Sequence, residues 1–423
     1  LKLLFLTPQL PYPPRQGTAL RNWGLISNLA KRHEVWLLSF DDGISVHDEL
    51  RRVCKSVLTF PVPTRDTRAR LRTLLTSPLP DMAWRLWSHN FQQIFEQWVA
   101  EKKFDIIQIE GIELARYILE SPKLNRKSSV VDQQSKIVFD DHNCEYLMQQ
   151  RWYERDRRSP QRWHAAAYSL VQSRRLSDFE RRIVQTADAT LCVSKEDQDA
   201  LAHLADVRPH VIYNGIDVER YAAFAEDRNH KLEAIRHATH HASQSTLLFT
   251  GKMDFRPNID AVLWFVQEVL PIIHQSEPNV ILKIVGQKPS PRLDALRTHL
   301  RVEITGAVDD IRPHIADADV YVAPLRVGGG TRFKLLEAMA MQKAIVTSSL
   351  GCEGFSIQSG REMMIADEPS AFAQVIVDLL RDKNRRDGLG KSAFSFVSSA
   401  YDWKAIVPKV EMVYEQIRQN ISA

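Results

Sequence analysis

Residues 324–343 read PLRVGGGTRFKLLEAMAMQK and concentrate more candidate chemistry than any other stretch. Gly328, Gly329 and Gly330 stand directly before a run of good helix formers that begins near Thr331. Glycine loses more backbone freedom on folding than any other residue, so three in a row call for a reason. A backbone without Cβ atoms can approach a ligand closely, and the first amides of the next helix then point outward as an anion site. Arg332 and Lys334 fall in the first helical turn, where the helix dipole disfavours positive charge. An anion held there, such as a diphosphate, reverses that penalty. Glu337 lies six residues beyond Thr331, about 9 Å further along a helix rising about 1.5 Å per residue. That separates a diphosphate from the vicinal hydroxyls of its ribose, and one carboxylate accepts from both hydroxyls. The alternative is a Gly-rich turn with Glu337 paired to Lys334 on a solvated face. The apolar neighbours Leu335, Leu336, Ala338 and Met339 speak against it.

Four further stretches put polar residues just past apolar runs. TGKMDFRPNID, at 250–260, brings Gly251, Lys252 and Arg256 to the end of a strand, with Asn258 reading as the N-cap of the following helix. IVFDDHNCEY places His142 and Asn143 past another strand, either as site residues or as a helix-capping turn. TPQLPYPPRQGTALRNWG is a proline-rich loop ending at Gly17, where a helix starts and carries Thr18 and Arg21. SLGCEGF carries Glu353 after the run AIVTSS.

The elements that must position these residues alternate almost from end to end. LKLLFL, EVWLLSF, FDIIQIE, IVFDDH and ATLCVS form one strand series; TLLFTG, VILKIVG, VEITG, DVYVAPL and AIVTSS form a second, with helical segments between. Continuous apolar strands alternating with helices imply a parallel sheet covered on both faces. At 423 residues the chain is too long for one ordinary core. The expectation is an α/β protein of two Rossmann-like, doubly wound domains. Their boundary falls near 206–209, giving domains over 1–206 and 207–402. The tail from about Trp403 reads as one amphipathic helix that either caps its own domain or crosses back to the first.

In these motifs the chain resembles the family-four glycosyltransferases, whose two Rossmann-like domains face each other across a cleft in the GT-B fold. The resemblance extends over essentially the whole sequence and is strongest from TLLFTGKMDFRPNIDAVLWF through AIVTSSLGCEGF. It implies retaining transfer of a sugar from a nucleotide-diphosphate donor to a glycan or lipid-linked acceptor in polysaccharide biosynthesis. The family's motif is a Glu, seven residues and a second Glu. Glu337 matches the second, which binds the donor ribose, while the first falls on Gly329. A subgroup with GGGTRxK here, similar to sugar transferases of exopolysaccharide gene clusters, shares that substitution. Lys252 matches a phosphate-binding cation that is usually Arg. The family's second cation falls on Pro257, so Arg256 is the candidate substitute, although Lys is a point charge and Arg a bidentate fork. The resemblance gives His142 a place near the donor sugar or its developing charge, and the C-terminal helix a crossing back to the first domain. It sets Gly17, Thr18 and Arg21 on the acceptor side or near the donor phosphates. Glu353 then either partly replaces the carboxylate missing at Gly329 or forms a loop salt bridge. Gln342 stands where the family has glycine, a packing variation.

Composition narrows the rest. Hydrophobic content of 44%, charged content of 26% and a formal charge of +4 describe an ordinary globular protein, short of a nucleic-acid binder. Four scattered cysteines without a CxxC pair argue for a reduced, cytoplasmic setting and against zinc. LKLLFLTP is too short an apolar stretch for a signal peptide, and no run reaches the roughly 20 apolar residues that span a bilayer. No divalent-metal motif or cofactor is called for beyond the nucleotide sugar as donor substrate. Residues 65–87 hold five arginines against two aspartates, interleaved with Leu and Trp. Such a stretch suits peripheral contact with an anionic membrane, with Trp at the headgroups. Residues 151–185, with nine arginines against four acids, read as helices covering the first sheet. A nucleic-acid groove is the other reading of basic, aromatic stretches, but no recognised motif accompanies them. The rival functions are a nucleotide-sugar epimerase on the same fold and a non-catalytic nucleotide-sugar-binding subunit. A dehydrogenase would carry GxGxxG after the first strand, and this chain does not.

Overall fold

A computed structural model describes residues 1–14, 17–41, 43, 46–124, 135–238, 244–327 and 332–419, with side chains omitted at 229–238. The chain divides into two compact units, Leu1–Asn214 with Ile406–Ala423, and Gly215–Ala405.

The first unit is built on seven strands: β1 (Lys2–Thr7), β2 (Glu34–Asp41), β3 (Ser56–Pro61), β4 (Ile106–Glu110), β5 (Lys136–Asp141), β6 (Ala189–Cys192) and β7 (His210–Val211). They lie in the order β3-β2-β1-β4-β5-β6-β7, every pairing parallel. β4 is buried along its whole length and β1 from its second residue onward, as expected of central strands covered by helices on both faces. Leu4, Phe40, Phe91, Phe139 and Ile183 sit in one contiguous core. The helix Trp403–Gln419 places its later turns in this unit: Tyr414 donates to Gln108 on β4, and Glu411 pairs with His33 at 2.8 Å.

The second unit carries β8 (Thr246–Thr250), β9 (Ile281–Val285), β10 (Val302–Gly306), β11 (Val320–Ala323), β12 (Ile345–Thr347) and β13 (Met364–Ile365). Their order is β10-β9-β8-β11-β12-β13, again parallel throughout. The helix Arg256–Trp264 widens into a π-helical turn at Phe265–Val269 before Leu270–Ser276. Pro271 sits just beyond, and its missing N–H breaks the regular ladder there.

Several details differ from the sequence reading. HVIYNGID, assigned to the second domain, instead supplies β7 to the first sheet, so the first unit runs to Asn214 rather than 206. β3 and β13 were not anticipated. β3 is an outer strand with mixed burial, and β13 is only two residues long. Gln342 is a matter of backbone rather than packing. It holds φ of +54°, the left-handed region where a side chain is strained and glycine is not. The four cysteines are free and buried. Among the described residues no helix is long and apolar enough to cross a membrane.

Candidate functional site

In each sheet the strand order reverses at one place, and ligands of open α/β sheets bind outside the carboxyl ends of the strands at such a point. In the second unit the reversal lies between β8 and β11. The loops leaving these strands carry Gly251, Lys252 and Arg256 on one side and Arg326, Arg332 and Lys334 on the other. Arg326 ties them together, pairing with Asp260 at 3.1 Å and lying over the Trp264 ring.

Lys334 is the centre of this group. It is the second residue of the helix Phe333–Ala340, which starts two residues later than the sequence suggested. Its Nζ donates to Asn258 Oδ1 at 2.8 Å and stands 4.2 Å from the centroid of Phe249, the penultimate residue of β8. Gly251 makes room for it. A Cβ there would lie 2.9 Å from Lys334 Nζ and 2.7 Å from Asn258 Nδ2, and the φ of +154° itself favours glycine. Burial, and then the charge of Arg332, push the Lys334 ammonium down to about 7, against the pull of Glu337.

Asn258 is not the N-cap that the sequence suggested, because the helix begins at Arg256 with Phe255 in the cap position. Its amide instead bridges the two loops, giving a hydrogen bond to the Lys252 carbonyl at 2.9 Å and accepting one from Lys334. Lys252 is half-buried, with Nζ 3.6 Å from Asp254. Arg256 opens its helix and is half-buried, as is Arg332 at the cap of the Lys334 helix.

Glu337, one turn beyond Lys334, accepts a hydrogen bond from Tyr221 at 2.8 Å. Burial raises its carboxyl to about 7, with Tyr221 and Lys334 opposing. Glu353 lies half-buried in the turn after β12. Gly328, Gly329, Gly330 and Thr331 lie outside the described residues. Sequence reasoning missed Tyr221 altogether and gave Asn258 the wrong task. No local signal marked either role, because their partners Glu337 and Lys334 lie 116 and 76 residues away.

In the first unit the reversal lies between β1 and β4, and a buried polar network fills it. Arg21, from the helix Gly17–Leu29, gives two hydrogen bonds of 2.9 Å to the two oxygens of Asp140 on β5. Its remaining terminal nitrogen donates to the carbonyls of Ile212 and Tyr213 and to Asn214 Oδ1. Arg21 is 1% exposed. The sequence reading set it near donor phosphates or acceptor; the structure makes it an internal strut. Gly17 and Thr18 are half-buried at the start of that helix.

His142 follows β5 and shares a 2.8 Å hydrogen bond between its Nε2 and Glu110. Burial pulls its pKa down, but the bond to Glu110 and the field of Asp140 win, and the imidazole stays above its ordinary value. Glu110 also accepts from Gln108 at 2.6 Å, and from Asn22 at 2.8 Å in the amide orientation its neighbours require. Ligand atoms of Glu110, Asp140 and His142 lie within 4.8 Å of one another, close enough for a cation. Arg21 occupies both Asp140 oxygens and already brings positive charge to that position.

The Arg-rich segment also departs from expectation. Trp84 and Trp87 do not face outward; they sandwich the Arg116 guanidinium at 4.1 and 3.8 Å. The exposed apolar side chains are instead Leu71 and Leu75, 56% and 76% exposed, on the helix Thr67–Thr76, which has no buried residue. Arg68, Arg70 and Arg72 are exposed on the same helix. Beneath it lies a cavity of about 180 Å³ lined by Leu71, Leu74, Leu79 and Tyr168.

Comparison with known proteins bears on both units. The family model described as Glycosyltransferase Family 4 matches residues 16–220, and the one described as Glycosyl transferases group 1 matches 244–382. An uncharacterized 44.6 kDa protein in the cps region of Klebsiella pneumoniae is 24% identical over 172 residues, 39% of this chain and 44% of that protein. The phosphatidyl-myo-inositol mannosyltransferase of Mycobacterium tuberculosis is 30% identical over 217 residues, 49% of this chain and 53% of that enzyme. The chain thus spans about half the length of these two relatives. Anabaena Alr3699/HepE, crystallised in complex with UDP and glucose, has a TM-score of 0.63 at 16% identity, with 98% of this chain and 99% of that one covered. At that identity the likeness shows the fold, GT-B. The chain belongs to the family-four glycosyltransferases, with a group 1 domain following the family-four domain along the sequence.

Proposed function

We propose that the protein moves a glycosyl group from a nucleoside-diphosphate sugar to a glycan or lipid-linked acceptor, with retention at the anomeric carbon, in polysaccharide or glycolipid assembly. The observation that carries this reading is the pairing at the β8/β11 reversal: a cation, Lys334, beside the glycine backbone of Gly251, and a carboxylate, Glu337, one turn further along the same helix. In this reading Lys334 lies against the diphosphate and Glu337 accepts from the ribose hydroxyls. The bond from the anomeric carbon to the β-phosphate oxygen breaks as the acceptor oxygen bonds to that carbon. The acceptor's proton passes to the departing phosphate on the same face. Lys334 and Lys252 offset the negative charge that develops on the leaving group, help of a kind that is often the largest catalytic term. Within the first unit, Glu110 fixes the orientation of the His142 ring through Nε2.

The test is a thermal-shift screen with UDP, GDP and ADP sugars, since a ligand that binds only the native state raises the melting temperature. One nucleotide class should stabilise the protein, and mass spectrometry should then find its sugar on an acceptor. Silence from all three classes, or full transfer by a Glu337→Ala variant, would remove the assignment.

Membrane contact belongs to the same reading and is supported by Leu71 and Leu75 standing out among the arginines of Thr67–Thr76. An apolar ridge flanked by arginines suits an anionic lipid surface. The protein should float with vesicles containing phosphatidylglycerol and not with pure phosphatidylcholine. A Leu71→Ser/Leu75→Ser variant that floats equally well would end this part of the proposal.

A further inference from the structure

Tyr221 sits in the first turn of the helix Val218–Ala238, 116 residues before its partner Glu337 in the sequence. Its phenol donates to Glu337 Oε1 at 2.8 Å, and among the described residues this is the side-chain hydrogen bond that Glu337 receives. The tyrosine is itself held in place. One helical turn on, Phe224 lies under the Arg312 guanidinium at 4.7 Å, and Arg312 is clamped by Asp310 at 2.7 Å. This stack fixes the tyrosine's helix against the segment after β10.

Glu337 needs such a partner. Leu335, Leu336, Ala338 and Met339 around it are buried, and a carboxylate in such surroundings tends to take up a proton. A protonated carboxyl has lost acceptor capacity and binds a pair of vicinal hydroxyls poorly. The charged and titratable groups facing Glu337 are Tyr221 from the preceding helix, Lys334 on its own helix, Asp310 from the β10 loop and Tyr321 on β11, a phenol that burial and Glu337 itself keep protonated. Tyr221 and Lys334 favour the ionised form, and Asp310 opposes it.

We propose that Tyr221 is a positioning residue for nucleotide recognition: its hydroxyl fixes the rotamer of Glu337 through one oxygen and keeps the carboxylate ionised to receive the sugar hydroxyls of a bound nucleoside diphosphate. This rests on the donor-binding reading of Glu337 given above. Tyr221 acts through Glu337, and its effect belongs to ground-state binding. It therefore appears in KM and in donor affinity, with kcat little changed.

The experiment measures the affinity of the nucleotide sugar found in the screen, by calorimetry from pH 5.5 to 8.5. It uses the protein and its Tyr221→Phe, Glu337→Gln and doubly substituted forms. Tyr221→Phe keeps the ring and removes only the donor, and circular dichroism checks that the fold is intact. A hydrogen bond to a charged group predicts about a tenfold or greater loss at pH 7. The acidic limb of the affinity profile moves to higher pH. The loss vanishes when Glu337→Gln is already present, because the two residues act as one unit. Unchanged affinity and pH profile in Tyr221→Phe, with the wild type binding donor, would overturn the role of Tyr221 and leave the donor site standing. A loss equal at every pH and additive with Glu337→Gln would overturn it too, as a merely structural effect. A wild type that binds no nucleotide sugar would take both readings down.

Discussion

Lys334 Nζ rests 2.8 Å from Asn258 Oδ1, and only the absence of a side chain at Gly251 leaves space for it. Two loops from adjacent strands thus meet around one ammonium group. Gly251→Ala tests this directly. The new Cβ would stand 2.9 Å from the lysine nitrogen and 2.7 Å from Asn258 Nδ2, at a φ of +154°. Either the lysine leaves or the backbone strains, at a cost on the order of 1–3 kcal/mol. Donor affinity should fall by about tenfold or more, with a lower melting temperature. Wild-type affinity together with wild-type stability would show that Lys334 does not depend on this approach.

Lys334 also predicts a proton count. Burial and Arg332 hold its pKa at about 7, so at pH 8.5 the free site is mainly neutral. A bound diphosphate favours the charged form and raises that pKa, so binding takes up a proton. Glu337, raised to about 7, is already ionised at pH 8.5 and adds little. Calorimetry at pH 8.5 in buffers of different ionisation enthalpy should report uptake approaching one proton per donor bound. Lys334→Met should abolish it. Proton release, or uptake that survives in Lys334→Met, would place the titrating group elsewhere.

How much of this was legible in the sequence follows from physical range. The strands of both series were readable because central parallel strands, buried on both faces, carry mostly apolar residues, as in β1, β4 and β11. β7 was not, since two half-buried residues carry no pattern of their own. Lys334 and Glu337 stood out because a helix start with cations and a lone acid among leucines breaks local rules. Tyr221 and the bridging role of Asn258 could not be read, since each is defined by a partner 116 or 76 residues away. Arg21 was noticed as a cation near a loop, but nothing local revealed that Asp140, 119 residues on, would bury it.

The Arg21–Asp140 pair makes a prediction of a different kind. Both side chains are buried, and removing one leaves the other as an unpaired charge in a dry interior. Arg21→Met should destabilise the first unit by roughly 3–5 kcal/mol. Combining it with Asp140→Asn should recover part of that loss, because the stranded carboxylate is gone. The folded fraction should bind donor as the wild type does. A variant that melts normally and yet loses donor affinity would return Arg21 to the phosphate-binding set.

The acids behind β5 set a pH dependence. Glu180 accepts hydrogen bonds from the backbone amides of Glu145 and Tyr146 at 2.7 and 2.9 Å, inside the first unit. Burial raises it to about 8 and Glu145 to about 7, and raises Asp141 as well. A carboxyl whose folded pKa exceeds its unfolded one stabilises the fold fully below the unfolded value. That stability is lost as pH rises through the folded value. Between about pH 4.5 and 8 the native state therefore holds extra protons, and stability falls with rising pH by about 1.4 kcal/mol per pH unit for each of them. Urea midpoints should decline steadily from pH 5 to 8.5. Glu180→Gln keeps an oxygen for one of the two amides and cannot ionise, so its midpoint should be lower throughout and its profile flatter by about one proton's slope. A wild-type midpoint that rises over this window, or a variant profile parallel to the wild type, would mean that Glu180 is ionised in the native protein.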